Sequence, residues 1–370
     1  MSRKSWTWRL AIPAGVLVLA LALAACNNDS GDSETGATGT GGESEVTLEL
    51  GYVTTATHPY GIAVDHFVEQ VDEASNGEIE IQSRPQYPGG DVPLLEDVKS
   101  GKVELATVST ATWSSQDATA FEALQAPFLI TNYPLEREVI TGDIAREMLD
   151  LAEEQVGGIV GLAIHEGGLR QPLGVSEALD SPAAFDGKRL RAVQSRVLEL
   201  NMDALGARPI PIPLPEVRAA LDDGTVAGME ANLGLIQSEE FYEVADFVSK
   251  INLWPFPTAL VMNKDAYDQL DEGQQEAIRE AADTVPGFSI DEIFLQPSDL
   301  PQTLCDEGIT FVEVSEADAA ALRAEAQSAY DELSENETTE DFITRIQELK
   351  DDQGEVPAPA SPEDCTQAVG

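Results

Sequence analysis

The stretch from Gly187 to Asn232 reads GKRLRAVQSRVLELNMDALGARPIPIPLPEVRAALDDGTVAGMEAN and decides the fold class of the chain. A short basic strand, a helix, a proline-rich turn, a second helix and a polar turn follow one another closely, which is typical of α/β proteins. Strand alternation sends Arg189 and Arg191 to one face and Leu190 to the other. The stretch therefore predicts an α/β unit that carries cationic side chains.

Length and charge limit the classes of protein to which the chain can belong. With 370 residues, of which 42% are hydrophobic, it is long enough for two domains with separate cores. A formal net charge of −46 would repel the phosphates of nucleic acids, so we expect no nucleic-acid partner. The net charge does not decide the sign of a small ligand, which depends on the few charged groups inside its site.

The N-terminal residues predict export and membrane anchoring. Residues 1–25 combine basic residues with a short apolar run, as in a secretory signal peptide. The run ends in Leu23-Ala24-Ala25-Cys26, which resembles the bacterial lipobox and implies cleavage before Cys26 and lipidation of its sulfur. An uncleaved anchor is the alternative. Residues 26–45 are polar and acidic, which predicts a flexible tether, and both readings place the protein outside the cytoplasm at a membrane.

Two further cysteines, Cys305 and Cys365, remain in the mature chain. An even number of cysteines in an oxidising compartment predicts one disulfide in the C-terminal region. A pair of free buried thiols is the alternative. Residues 355–370 are rich in proline and alanine at their start, and we expect a surface tail that Cys365 attaches to the body of the protein.

The mature chain opens with a βαβαβ pattern. We expect a strand at 46–52, a helix that begins at Pro59 and ends before Gly77, a short strand at 79–81, a helix over 93–100 and a strand over 103–108. This order predicts a mostly parallel sheet. Beyond it, the pattern predicts a helix over 135–154, a strand over 157–164, a strand over 258–262 that returns to the first domain, and a helix over 265–284 that Pro286-Gly287 breaks.

The motifs of common enzyme classes are missing from the sequence. His165-Glu166 begins like a zinc-protease motif but lacks the second histidine, and the chain has only 3 histidines. There is no nucleophile elbow, phosphate-binding loop or closely spaced cysteine pair. We therefore predict a protein without catalytic residues, cofactor or metal. An extracytoplasmic enzyme built from scattered carboxylates stays an alternative.

Arg170 and Arg191 are the two candidate anion-binding residues. Arg191 lies on a predicted strand, and Arg170 follows the polar, glycine-rich turn after the strand over 157–164, where open α/β sheets bind their ligands. A guanidinium donates two parallel hydrogen bonds to a carboxylate and keeps its charge at physiological pH. From composition alone, a salt bridge with one of the 67 Asp and Glu residues is the favoured explanation of either arginine. The residues alone leave both possibilities open.

Short motifs with a common order run through most of the mature chain. They are Gly51-Tyr52, His58-Pro59-Tyr60, Pro127-Phe128-Leu129, Glu166-Gly167-Gly168-Leu169-Arg170, Gly187-Lys188-Arg189-Leu190-Arg191, Leu205-Gly206-Ala207-Arg208-Pro209, Pro211-Ile212-Pro213, Glu216-Val217, Ala220-Leu221, Gly228-Met229-Glu230 and Phe241-Tyr242-Glu243-Val244. Together they resemble the extracytoplasmic substrate-binding proteins of tripartite ATP-independent periplasmic (TRAP) transporters, DctP type. The similarity extends from Tyr52 to about Phe311.

This resemblance implies a two-lobed, periplasmic-binding-protein-like α/β fold that closes on its ligand like a flytrap, with the ligand cleft between the lobes. We expect lobe I to comprise residues 46–167 and 257–296, and lobe II residues 168–256 and 297–354. The resemblance assigns Arg191 to the ligand carboxylate and Arg170 to a second ligand-binding arginine. It also implies a small organic acid as ligand and the integral membrane subunits of a TRAP transporter as partners. A sensory binding protein without a transport partner is the alternative.

Further residues complete the expected site. From the first lobe we expect Tyr60, Gln86, Trp113 and Glu166, and from the second Trp254, which lies beside two prolines. Tyr60 and Trp113 fit ordinary core packing equally well. The family asparagine of the second polar turn aligns with Ala231, so we expect the neighbouring Asn232 to contact the ligand instead.

Overall fold

The computed structural model describes residues 46–294, 299–354 and 365–367. The predicted signal peptide, the tether with Cys26 and most of the predicted C-terminal tail lie outside the described residues. The described part forms two sheets covered by helices, and the predicted α/β class is confirmed.

The strands are β1 (Val46–Gly51), β2 (Ile79–Arg84), β3 (Leu105–Ser109), β4 (Ile159–His165), β5 (Gln171–Gly174), β6 (Arg189–Ala192), β7 (Arg208–Pro211), β8 (Gly228–Ala231), β9 (Phe247–Ser249), β10 (Thr258–Asn263), β11 (Thr310–Val312) and β12 (Thr366–Gln367). The α-helices are α1 (Pro59–Ala74), α2 (Asp91–Lys99), α3 (Tyr133–Thr141), α4 (Asp143–Val156), α5 (Pro182–Phe185), α6 (Arg196–Ala204), α7 (Leu214–Asp222), α8 (Leu233–Ser238), α9 (Lys264–Gln269), α10 (Glu272–Phe288), α11 (Leu300–Asp306), α12 (Glu316–Glu325), α13 (Gln327–Leu333) and α14 (Glu337–Gln353). Shorter 3-10 helices cover Thr110–Gln116, Glu122–Gln125 and Phe241–Glu243, and a π-helix covers Ser289–Phe294.

The first sheet has the strand order β2-β1-β3-β10-β4. β1 pairs in parallel with β2 and β3, as the βαβαβ pattern predicted. β10 returns late in the chain and lies antiparallel between β3 and β4. Phe67, Leu260 and Ile278 belong to the buried core between this sheet and the helices α1 and α10. This is the expected return of the chain to the first lobe.

The second sheet has the strand order β12-β11-β9-β5-β8-β6-β7. The basic strand β6 pairs in parallel with β7 and β8, so Arg191 lies in the middle of a three-strand parallel segment. β5 pairs antiparallel with β8 and β9. At the far edge, a disulfide joins Cys305 to Cys365 and attaches the short strand β12 beside β11.

Three helix predictions need correction. The helix expected over 135–154 is two helices, because Gly142 adopts an extended conformation (φ −96°, ψ −173°) between α3 and α4. The helix expected over 265–284 is divided at Leu270, which is also extended, into α9 and α10. The predicted break at Pro286-Gly287 is wrong, since α10 continues to Phe288. Pro286 donates no hydrogen bond, and the irregular π-helical turn begins only at Ser289.

Two crossing segments, residues 166–170 and 251–257, connect the sheets and are called the hinge below. They form an antiparallel bridge in which Arg170 N donates to Trp254 O (2.8 Å) and Leu253 N donates to Arg170 O (2.8 Å). The C-terminal helices pack against other elements, since Tyr330 Oη donates to Pro127 O at 2.8 Å and α13 packs on α6. α14 packs on α3, so residues 316–353 contact elements of both lobes. The exact lobe boundaries stay a prediction.

Candidate functional site

A small cavity of about 30 Å³ lies between the two sheets. The first lobe contributes the segment before α1 and the start of α2, and the second lobe contributes β6 and the start of α8. The lining residues are Val53, Thr54, His58, Tyr60, Asp91, Arg170, Arg191, Val193, Leu214, Asn232, Leu235 and Phe256. Of the residues predicted from the sequence, the structure brings Tyr60, Arg170, Arg191 and Asn232 together here.

Arg191 is a buried cation without an ion pair in the described part of the chain. Its residue is 3% exposed, and its Nε donates to Ile212 O at 3.0 Å. Neither terminal nitrogen of the guanidinium donates to another described residue. Burial lowers the pKa of Arg191 to about 10, with Glu230 acting in the opposite direction, so the side chain stays charged at neutral pH. The two terminal nitrogens are therefore free to bind a carboxylate side by side.

Arg170 is equally buried, at 1% exposure, but its charge is matched. Its Nε forms a salt bridge with the Glu230 carboxylate on β8, and its Nη2 donates to Glu230 O at 2.7 Å. Its guanidinium carbon lies 4.4 Å from the ring centroid of Phe256. Since Glu230 is fully buried, the pair fixes Arg170 at the wall of the cavity.

His58 and Tyr60 form the wall of the cavity on the side of the first lobe. His58 Nδ1 accepts a hydrogen bond from Tyr60 N (3.1 Å) at the start of α1, which leaves the proton of the neutral ring on Nε2. Burial, followed by the charge of Arg170, lowers the pKa of His58 to about 3. Tyr60 Oη donates to Phe256 O at 2.9 Å, which connects α1 to the hinge. His58 is thus a neutral donor, and the sequence did not predict it as a site residue.

Asp91 brings a carboxylate into the cavity that the sequence analysis missed. It begins α2 after Gly89 and Gly90, both of which have a φ of 88°, a conformation that favours glycine. Its Oδ1 accepts a hydrogen bond from Ser109 N at 2.9 Å. Burial raises the pKa of Asp91, and the positive charge of Arg191 opposes this shift. The only signal in the sequence is an acid directly after a glycine pair.

Asn232 takes the position in the cavity that the sequence analysis expected. Its Oδ1 accepts from Leu235 N at 2.7 Å and caps the N-terminus of α8. Its Nδ2 has no hydrogen bond of ordinary geometry to a described residue, although Asn232 still raises the pKa of the neighbouring His58. The preceding Ala231 is buried in β8 and does not line the cavity.

Four predicted ligand contacts do not line the cavity. Gln86 is exposed in a turn with a φ of 54°, and its backbone N donates to Thr54 O. Trp113 is fully buried and packs edge-on against Phe121 in the core. Trp254 is held in the hinge bridge to Arg170, with its side chain fully buried. Local sequence patterns give no information on which way such side chains point.

The fourth residue, Glu166, belongs to the hinge instead. Its Oε1 accepts from Gly168 N and from Phe256 N (3.4 Å), so it connects the two crossing segments. Glu136 of α3, also fully buried, interacts with it. Burial, followed by the negative charge of Glu166, raises the pKa of Glu136 well above its usual value. Glu136 is therefore the neutral member of the pair, although no hydrogen bond of ordinary geometry joins it to the Glu166 carboxylate.

The described residues contain neither a helix that is long and apolar enough to cross a bilayer nor a cluster of side chains suited to hold a metal ion.

Comparison with known families identifies the fold that carries this cavity. Residues 50–337 match the family model DctP, described as bacterial extracellular solute-binding protein, family 7. The chain belongs to this family. The resemblance to DctP-type TRAP solute-binding proteins is thereby confirmed, and with it the extracytoplasmic, two-lobed class of the protein.

Curated relatives match along most of their length. The C4-dicarboxylate-binding periplasmic protein DctP of Rhodobacter capsulatus is 26% identical over 299 residues, which cover 78% of this chain and 87% of the relative. The 2,3-diketo-L-gulonate-binding periplasmic protein YiaO of Escherichia coli is 25% identical over 236 residues, which cover 64% and 71%.

Solved structures of solute-binding proteins share the fold. The sugar acid binding protein DctPAm of Advenella mimigardefordensis, in complex with galactonate, has a TM-score of 0.78 and 26% identity, with coverage of 83% of this chain and 99% of the other. A TRAP periplasmic solute-binding protein of Xanthobacter autotrophicus, with bound β-D-galacturonate, has a TM-score of 0.76 and 25% identity, with coverage of 82% and 100%.

Proposed function

We propose that this family 7 protein is an extracytoplasmic solute receptor that binds a small organic acid anion through Arg191. The observation that carries the proposal is a buried guanidinium that lines a cavity and has no ion pair among the described residues. An isolated buried charge is costly, because it loses its hydration without gaining a partner. A ligand carboxylate would supply the missing anion and accept two hydrogen bonds from the fork of the guanidinium.

The neighbouring groups suit an anion. His58 is neutral and presents its Nε2 proton, and Nδ2 of Asn232 is a second donor without a hydrogen bond of ordinary geometry to a described residue. Arg170 contributes positive potential, while its hydrogen bonds go to Glu230. The proteins of known structure described above bind galactonate and galacturonate, both of which carry a carboxylate.

Binding in this proposal is capture without a chemical step. The cavity is lined by both lobes, so the ligand would enter while the lobes are apart and would stabilise the form in which they meet. The closed form would then deliver the ligand to the membrane subunits of a TRAP transporter. Lipidation at Cys26 and the acidic tether over residues 26–45 would keep the receptor at the membrane surface while its lobes move.

The experiment is a thermal-shift screen of organic acids followed by calorimetry on Arg191→Ala. Wild-type protein is expected to be stabilised by at least one carboxylate, because a ligand that binds the folded form raises the unfolding midpoint. Arg191→Ala should weaken that binding by about 2 to 5 kcal/mol, the range for loss of one partner from a buried charge pair.

Arg189→Ala is the matched control, because Arg189 lies on the same strand, is exposed and donates to Gly224 O rather than lining the cavity. Its affinity for the same acid should equal that of the wild type. If no carboxylate binds the wild type, or if Arg191→Ala binds as tightly as Arg189→Ala, the proposed function is wrong.

A further inference from the structure

Two opposite charges line the same cavity from different lobes. Arg191 lies on β6 of the second lobe, and Asp91 begins α2 of the first lobe. The Arg191 charge acts on Asp91, but the two side chains do not form a salt bridge. A ligand held by Arg191 in this cavity therefore meets a carboxylate on the opposite lobe.

Asp91 retains the capacity to accept hydrogen bonds from a ligand. Its carboxylate accepts from the backbone N–H groups of Ser109 and of Asp91 itself. A carboxylate has about four acceptor positions, so about two remain for other donors. The two amide donors, the N-terminal end of α2 and the Arg191 guanidinium all favour the ionised form against the effect of burial.

The charges that line the cavity restrict which second polar group a ligand can carry in addition to its carboxylate. A second carboxylate would meet Asp91 as a like charge and would find no second unpaired arginine, because Arg170 is bound to Glu230. An ammonium group would pair with Asp91 but would also face the positive charges of Arg170 and Arg191. A hydroxyl group donates to Asp91 without either repulsion.

We propose that Asp91 is a specificity-determining residue that selects hydroxy monocarboxylates and excludes dicarboxylates. In the bound state the ligand carboxylate pairs with Arg191, and a hydroxyl of the same molecule donates to the Asp91 carboxylate. The apolar wall formed by Val53, Leu214 and Leu235 covers the carbon chain between them. This inference rests on the proposed function, since it takes Arg191 as the carboxylate anchor.

Calorimetry with four acids of equal chain length tests the inference. The probes are D-erythronate, succinate, butyrate and 2-aminobutyrate, with galactonate and galactarate as a longer pair for a site that does not retain four-carbon acids. Wild-type protein is expected to bind the hydroxy monocarboxylate at least tenfold more tightly than the dicarboxylate of the same length and than butyrate. Asp91→Asn should weaken binding of the hydroxy acid about tenfold and reduce its preference over the dicarboxylate.

Glu96→Gln is the matched control, because Glu96 is an exposed acid on the same helix α2. It should leave all affinities unchanged, and thermal unfolding of each variant verifies the fold. Equal affinity for the two members of a pair, or a preference unchanged by Asp91→Asn, would overturn the inference and leave the proposed function intact. Tighter binding of 2-aminobutyrate than of erythronate would overturn it in favour of an amino acid. Failure of all six probes to bind, while another acid of the thermal-shift screen binds, would overturn this inference alone, and failure of every acid in that screen would overturn both.

Discussion

The hinge and the cavity between the lobes, called the cleft below, both contain buried charged side chains. They differ in whether those charges form salt bridges. In the hinge, Arg170 forms a salt bridge with Glu230, and the neutral carboxyl group of Glu136 interacts with Glu166. In the cleft, Arg191 and Asp91 line one cavity without forming a salt bridge. Arg170 and Arg191 are 1% and 3% exposed, so burial alone does not distinguish them.

The difference shows how one residue type serves two purposes. A buried charge that has a counter-charge contributes to a rigid structure, because removing either partner leaves the other buried and unpaired. A buried charge without a salt bridge keeps an unfavourable free energy that a ligand can relieve. The comparison therefore predicts that substitutions in the hinge change stability and that substitutions in the cleft change affinity.

The largest effect is expected at Arg170. Arg170→Ala leaves the Glu230 carboxylate buried without its partner and should lower the free energy of unfolding by about 3 to 5 kcal/mol. Urea denaturation at neutral pH measures this change. Arg191→Ala under the same conditions should change the stability of the ligand-free protein far less, because no buried anion loses a partner. Equal destabilisation by the two substitutions would show that the hinge and the cleft do not differ in this way.

The sequence predicts the secondary-structure elements better than the contacts of the charged side chains in the hinge and the cleft. Apolar patterns, together with proline and glycine at the ends of helices, predicted β1, α1, β2, α2 and β3 in order. Arg191 was identified because a motif surrounds it. The absence of a salt bridge to Arg191 among the described residues was not predictable, since it depends on where every acid in the folded chain lies.

Partners distant in the chain account for what the sequence missed. Glu230 is 60 residues from Arg170 and reaches it because β5 and β8 pair antiparallel beside the hinge. Asp91 reaches the cavity because two glycines with positive φ turn the chain before α2. The resemblance likewise gave no orientation for Gln86 and Trp113, which lie on the surface and in the core.

An intermediate effect is expected at the other buried pair of the hinge. Glu136→Ala removes the neutral carboxyl group that interacts with Glu166 and should destabilise the protein by about 1 to 3 kcal/mol, the cost of an unsatisfied buried acceptor. Glu136→Gln keeps a donor of the same shape and should retain the stability. Urea denaturation of the two variants at neutral pH compares them, and equal losses would mean that Glu136 acts through packing alone.

The same pair predicts a pH dependence. The pKa of Glu136 is raised in the folded state, by burial first, above the usual value of 4.5. Stability from the neutral carboxyl group is therefore fully present below pH 4.5 and is lost as the pH rises through the raised pKa. The side chain introduced by Glu136→Gln does not titrate. The stability of this variant relative to the wild type should therefore increase as the pH rises from 4.5 through the raised pKa of Glu136. A constant difference between pH 4.5 and 9 would contradict the assignment of the proton to Glu136.

The smallest effect is expected at Asn232, whose side chain both caps a helix and lines the cavity. Its Oδ1 caps α8, and its Nδ2 lines the cavity without an ordinary hydrogen bond to a described residue. Asn232→Asp keeps the capping oxygen but places a negative charge beside the anion site, so stability should stay near the wild-type value while affinity for the ligand falls. Asn232→Ala removes the cap as well and should cost about 1 kcal/mol of stability. Urea denaturation measures the stability of both variants, and calorimetry measures their affinity. If Asn232→Asp retained full affinity, Asn232 would contribute to the fold alone and not to ligand binding.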